Sequence, residues 1–113
     1  MYRNAAKFDT LRSVAFGSIT TSYVQVGAVL PKPAVCIAFT NNTDGIIYVS
    51  TDGINDMLAI PPSTGKVFDI KTNAPYATDF LFPSNTAFLI KYSGSAPTSG
   101  SFYIEAVITQ TNP

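Results

Sequence analysis

Short stretches in which apolar and polar residues alternate recur along the whole sequence, and turns rich in Gly, Pro, Asn and Asp separate them. In the clearest stretch, Ser101–Thr109, alternation places Phe102, Ile104, Ala106 and Ile108 on one face of a strand. No segment keeps a helical period for ten residues. Eight or nine strands at spacings of about 8–12 residues are typical of antiparallel sandwiches and barrels. The sequence therefore predicts an all-β fold, an antiparallel β-sandwich that is jelly-roll-like.

Residues 34–53 form the segment around which we expect the other strands to be organised. Val35, Ile37 and Phe39 share one face of its first half. Asn41–Gly45 lies between the two halves and contains residues that tolerate positive φ, so we predict a hairpin that reverses there. A hairpin with one apolar face is not stable alone in water, and a second layer of strands must cover it.

With 113 residues the chain has the length of one domain. We expect the sandwich at residues 13–109, an extended N-terminal arm at residues 1–12 and a C-terminal tail at residues 110–113. Charged residues make up 12% of the chain, about half of the ~25% that is typical of soluble domains. Either Ser, Thr, Asn and Gly keep the protein soluble, or partners cover part of its surface.

The N-terminal arm is the segment that we expect to contact a partner. It has no clean period, and its three cationic residues against one aspartate give it a net charge of +2. A frayed terminus and an arm laid over a neighbouring subunit both agree with this pattern. The residues predicted to bind the partner are Arg3, Lys7, Phe8 and Arg12. We expect that removing the arm abolishes the association and leaves the fold intact.

The composition argues against several functions. The net charge is zero, so nucleic-acid binding driven by phosphate neutralisation is not expected. No apolar run approaches the ~20 residues that span a bilayer, and no secretory signal is recognisable, so no membrane association is expected. The sequence contains no His and one Cys, which removes the usual Ser-His, Cys-His and zinc sites.

A few residues remain as candidates for chemistry. Asp69 and Glu105 lie in predicted strands and are candidates for the carboxylate pair of a glycosidase, but alternation with apolar neighbours favours the solvent face. Asp52–Asp56 clusters oxygen ligands without the spacing of a calcium loop, so a turn explains it better. Cys36 is expected to be a small buried hydrophobe. We therefore predict no enzyme activity, no cofactor and no metal.

Aromatic residues offer an alternative function as a carbohydrate-binding module. Such a module needs a platform of aromatic rings, and seven candidates occur in the chain. They are Tyr23, Tyr48, Tyr76, Tyr92, Tyr103, Phe16 and Phe88. Because they are spread over different predicted strands, core and rim positions explain them better than one platform.

The sequence resembles small virion structural proteins of tailed bacteriophages. The turn and strand at Asn41–Gly53 begin the resemblance, and Met57–Pro61 and Gly65–Asp69 continue it. The strand at Phe88–Lys91 and the strand start at Gly100–Ile104 complete it, so that it covers nearly the whole body of the chain. The shared features are turns and strands, and no residue-level site comes with them.

The resemblance implies a β-sandwich that decorates or cements a capsid in symmetric copies, or that lies at the neck or tail as an adaptor. We therefore expect a capsid decoration protein, localised in the virion and assembled in the host cytoplasm. Its partners would be the major capsid protein or other virion proteins, and further copies of itself. A homo-oligomer is expected, with a trimer as the favoured form. Few charges protect the strand edges, which agrees with an assembly that covers them.

Overall fold

A computed structural model describes residues 5–69 and 82–110, and this part of the chain folds into two antiparallel sheets packed face to face. It contains nine strands, a single turn of 3-10 helix at Phe16–Ser18, and no α-helix. The strands are β1 Ala5–Phe8, β2 Arg12–Ala15, β3 Val24–Gln25, β4 Ala34–Asn41, β5 Ile47–Ser50, β6 Leu58–Ile60, β7 Thr64–Asp69, β8 Leu89–Tyr92 and β9 Ser101–Gln110. The predicted all-β sandwich is confirmed.

The order of the strands is that of a jelly roll. In the first sheet the order is β1-β9-β4-β7, and β2 pairs with the other half of β9; in the second sheet it is β3-β8-β5-β6. Only β1 and β2, and β5 and β6, are consecutive strands in one sheet, so every other connection crosses between the layers. Two antiparallel layers linked by repeated crossings define the jelly-roll arrangement.

The predicted hairpin between β4 and β5 is wrong, because the two strands belong to different sheets. The turn between them crosses from one layer to the other, and Asn41 holds it from inside the protein. The Asn41 side chain is 0% exposed and donates to the carbonyl oxygens of Gly45 and Ile60, each at 2.8 Å. Its Oδ1 accepts from the backbone N–H and the hydroxyl of Thr43. All these groups lose water when the sheets pack, so the side chain supplies their hydrogen bonds.

The core lies between the sheets and follows the alternation of the central strands. In β9 the residues Phe102, Ile104, Ala106 and Ile108 are buried, as predicted from their spacing. In β4 the ring of Phe39 contacts neighbouring rings edge to face, with centroid distances of 6.0 Å to Phe68 and 5.9 Å to Phe88. Val35 is only half-buried, because a bulge shifts the register between Ala34 and Cys36.

The segment predicted as an extended arm lies partly within the first sheet. Ala5–Phe8 forms β1 and pairs with the second half of β9, and β2 begins at Arg12. The body therefore includes residues 5–12, and its N-terminal boundary does not fall at Ser13 as predicted. Gln110 pairs with Ala5, so β9 extends one residue beyond the predicted end of the sandwich. Residues 1–4 and 111–113 lie outside the described part.

Candidate interaction surface

The outer face of the first sheet is formed by the side chains that point away from the second sheet. The strand register defines this face, because directly opposed residues of antiparallel strands point to the same side. One row across the sheet runs from Phe8 to Val107, then to Cys36 and Asp69. The remaining residues of this face on the five strands are Ala6, Ser13, Ala15, Ser101, Tyr103, Glu105, Thr109, Ala38, Thr40, Gly65 and Val67.

Large apolar side chains are exposed at both edges of this outer face. Phe8 is 87% exposed and Val67 is 68% exposed. Val107, Cys36 and Ala38 lie between them on the central strands and are half-buried. Single exposed apolar residues are common on proteins, but a contiguous apolar patch is typical of an interaction site.

Glu105 is the charged residue on the central strands of this face. It lies between Tyr103 and Val107 along β9 and directly opposite Ala38 on β4. It is exposed, and it forms no ion pair or side-chain hydrogen bond with the described residues. Within these strands, no Lys or Arg points to the same side of the sheet. An unpaired carboxylate is thus surrounded mainly by apolar and small side chains.

The outer face of the second sheet differs, because a turn of the chain lies against it. The hydroxyl of Tyr23 donates to Oδ1 of Asp56 in this turn, and Nζ of Lys91 lies 3.2 Å from the same oxygen. The Lys91 ammonium also lies 4.9 Å from the centre of the Tyr23 ring. Partial burial and the bond to Asp56 raise the pKa of Tyr23 to about 12. These polar contacts cover part of the second sheet's outer face, whereas no described turn covers the outer face of the first sheet.

The acidic cluster considered for calcium is such a turn, as predicted. The carboxylate of Asp52 accepts from the backbone N–H groups of Asn55 and Ile54 at 2.9 and 2.8 Å, and from the hydroxyl of Ser50 at 2.8 Å. These hydrogen bonds hold the pKa of Asp52 well below its ordinary value. Within the described ranges, no group of three or more His, Cys, Asp or Glu side chains is arranged to hold a metal ion.

Two of the four predicted partner-binding residues are exposed on β1. Phe8 lies on the outer face, and Lys7 points to the opposite side of the strand, where it is exposed at the edge of the sheet. Arg3 lies outside the described residues. The structure thus brings Phe8 together with Val107 and Val67 on a sheet face, rather than on a separate arm. The sequence signal that could have found this face is the apolar residues at outward positions of β4, β7 and β9.

Arg12 does not have the predicted role, because its side chain is 5% exposed. Its Nε donates to the carbonyl oxygen of Ala28 at 2.8 Å, and its Nη2 lies 2.8 Å from Oδ2 of Asp9. The contact with Asp9 is an ion pair without hydrogen-bond alignment. The guanidinium also lies 5.6 Å from the centre of the Phe88 ring. All these contacts are internal, so Arg12 holds one end of the sandwich together and does not reach a partner.

The carboxylates considered for a glycosidase do not form a pair. Asp69 and Glu105 both belong to the outer face, but β4 lies between their strands and their positions differ by two residues. Two strand spacings and a two-residue offset separate the backbone positions by about 12 Å. The carboxyl groups of glycosidases lie roughly 5–9.5 Å apart. Neither residue lines a described cavity, whereas the carboxyl pair of a glycosidase flanks the scissile bond of a bound sugar.

The aromatic residues considered for sugar binding do not converge either. Phe88 is a core residue, and Tyr103 belongs to the outer face of the first sheet. Tyr48 and Tyr92 belong to strands of the second sheet, Tyr23 directly precedes β3, and Phe16 begins the 3-10 turn. Tyr76 lies outside the described part. A cavity of about 490 Å³ opens between the sheets, but its described lining is dominated by apolar groups such as Phe39 and carries no charge. The polar residues of this lining are Ser50, Thr51, Asn85 and Thr86.

Cys36 lies on the outer face and is half-buried rather than fully buried. Burial raises the pKa of its thiol, and the negative charge of Asp69 raises it further. Both effects disfavour the thiolate, which is the reactive form of cysteine. Cys36 is thus less buried than predicted, and its thiol loses its proton less readily than an ordinary cysteine thiol.

Comparison of the chain with protein-family models, with curated proteins and with solved structures gives no match. In residues 5–69 and 82–110, no helix has the length and apolar character needed to cross a membrane.

Proposed function

We propose that the protein is a structural component of a bacteriophage virion and acts as a capsid decoration or cement protein. The observation that carries this proposal is the outer face of the first sheet, on which the large apolar side chains of Phe8 and Val67 are largely exposed. The resemblance in sequence to virion structural proteins of tailed bacteriophages is the reason for proposing a phage particle. A jelly roll alone supports no single function, since viral capsid proteins, lectins and cupins share it.

The mechanism is passive. A protein that binds only the assembled shell raises the free energy needed to separate its subunits, by mass action. Four strands and four rows of side chains give the outer face an area of about 500 Å². A standard interface buries about 800 Å² on each partner, so neighbouring exposed residues such as Leu11 must extend the contact. The partners are the major capsid protein or other virion proteins, and the protein acts as a homo-oligomer in the virion.

A binding experiment with shells tests this proposal. Shells of the virus that encodes the chain are prepared without the protein and mixed with wild type, Phe8→Ser or Ile54→Ser. Ile54 is 81% exposed and lies in the turn at the second sheet, so it is a matched control for the loss of one exposed apolar residue. We expect wild type and Ile54→Ser to bind alike and Phe8→Ser to bind at least about tenfold more weakly. Wild type that does not bind shells contradicts the proposal.

Copy number separates a decoration protein from an adaptor at the neck or tail, for which the same apolar face is suitable. A decoration protein is expected in about one copy per capsid subunit, whereas a ring-shaped adaptor is expected in about a dozen copies per particle. Quantitative mass spectrometry of purified virions measures this number. If the protein is instead a carbohydrate-binding module, the isolated protein is expected to bind a glycan saturably.

A further inference from the structure

We infer that the outer face of the first sheet binds a protein surface that places an arginine or lysine against Glu105 within an apolar surround, and that this partner is not a second copy of the chain. The inference rests on the proposed function, because it specifies the chemistry of the shell surface that the protein covers. It concerns the contact site itself and adds no further activity.

The need for a cation follows from the position of Glu105. Its carboxylate is solvated now, and within the described chain it has no ionic or side-chain hydrogen-bond partner. A partner that covers Val107 and Ala38 also covers Glu105, since both residues are its direct neighbours in the sheet. A carboxylate that loses its water without a counter-charge is strongly destabilising, so the partner must supply one. Arginine fits best because its planar guanidinium binds a carboxylate through two parallel hydrogen bonds.

Within residues 5–69 and 82–110, the same face of a second copy does not supply this cation. Two copies related by a twofold axis place the same face against itself, so each Glu105 meets the residues of an identical face. Among the described strand residues, Lys7 and Lys66 are opposite Ile108 and Phe39, whose side chains point into the core. Neither lysine therefore belongs to the outer face. Self-association through this face brings like charges together and leaves them unpaired, which favours a basic partner of different sequence.

Charge removal at Glu105 tests the inference on the same shells. Glu105→Gln keeps the size and polarity of the side chain, and Ile54→Lys is the control because it changes the net charge by the same amount on the other side of the molecule. We expect Glu105→Gln to bind about 30-fold more weakly or worse, because the shell cation is left buried and unpaired, and Ile54→Lys to bind as wild type does. If wild type and Glu105→Gln bind the shells equally well, the inference is overturned, but the proposed function stands because wild type binds. Wild type that does not bind overturns both.

Two further measurements show whether the face itself is the contact. Alkylation of Cys36 at alkaline pH reports access to this face, because Cys36 lies opposite Val107. We expect shell-bound protein to be protected from alkylation, and equal labelling of free and bound protein overturns the inference.

Sedimentation of free wild type and Phe8→Ser gives the oligomeric state. The same state for both supports the inference, whereas dissociation of a wild-type oligomer by Phe8→Ser shows that a second copy occupies the face and overturns it.

Discussion

Arg12 and Glu105 show two opposite ways in which this sparsely charged chain uses a charge. The Arg12 guanidinium is enclosed by backbone carbonyl groups and by Asp9. The neighbouring backbone leaves space for the arginine side chain. A Cβ on Gly27 would lie 2.7 Å from Cγ of Arg12, so only glycine fits there with the arginine in place. Glu105 has no such surround and stays in water. Buried charges are tolerated only when they are paired, so the internal role of Arg12 follows from its partners.

We predict that Arg12→Met lowers the free energy of unfolding by about 3 kcal/mol or more, because Asp9 is left largely buried without its counter-charge. The double variant Arg12→Met/Asp9→Asn removes that charge and should regain part of the loss. Urea unfolding of the wild type and both variants measures these values. A double variant that is less stable than Arg12→Met contradicts the explanation.

The sequence predicts the position of a strand where one of its faces is wholly apolar. It does not predict with which other strand that strand pairs. The inward residues of β9 follow from alternation alone, because burial on one side and water on the other fixes the period. The pairing of β4 and β5 was predicted wrongly, since a turn-rich segment such as Asn41–Gly45 reverses the chain equally well within a sheet or between sheets. The internal role of Arg12 was missed because two of the three carbonyl groups that accept from it belong to residues 16 and 17 positions away.

Two glycines with the same backbone conformation allow a test at the level of a turn. Gly100 and Gly94 have φ values of +87° and +85°, but a Cβ on Gly100 would lie 1.9 Å from the Asn42 carbonyl oxygen, whereas nothing lies within 4 Å of one on Gly94. We predict that Gly94→Ala costs about 1–2 kcal/mol of stability from the backbone alone. Gly100→Ala should cost about 2 kcal/mol more, because the turn after β4 must move. Thermal or urea unfolding compares them, and equal losses contradict the close contact.

The turn that lies against the second sheet should have a distinctive pH dependence. Because the pKa of Tyr23 is raised to about 12, the folded state favours the neutral hydroxyl more than the unfolded state does. The contribution of this group to stability is therefore fully present below about pH 10, the ordinary value, and is lost as the pH rises through 12. We predict that wild type is more stable than Tyr23→Phe at pH 9 and that the difference shrinks toward pH 12. A difference that stays constant over this range contradicts the role of the hydrogen bond to Asp56.

For the whole molecule, the jelly roll was expected from the number and spacing of the strands, and the limits of its body required the structure. The N-terminal residues looked like a detached arm because their short strand has no clean alternation. In the structure β1 and β2 share one edge of β9, so both belong to the first sheet. The surface that we propose for shell binding is therefore built by the folded sheet itself, with Phe8 on its outermost strand.

This placement changes the expected result of removing residues 1–12. The deletion takes away β1 together with Arg12, so we now predict that it destabilises the fold instead of leaving it intact. Phe8→Ser is the control, since it changes the outer face and preserves the backbone pairing. Circular dichroism during heating measures both variants. A truncated protein that melts at the wild-type temperature contradicts the assignment of these residues to the sheet.

The central place of β9 has a consequence for the synthesis of the protein. Three strands of the first sheet, β1, β2 and β4, pair with residues 101–110, which the ribosome makes after all of them. Until residues 101–110 emerge from the ribosome, these three strands lack the strand with which they pair. We therefore expect the first sheet to assemble only once residues 101–110 have left the ribosome, with chaperones shielding the earlier segments in the interval.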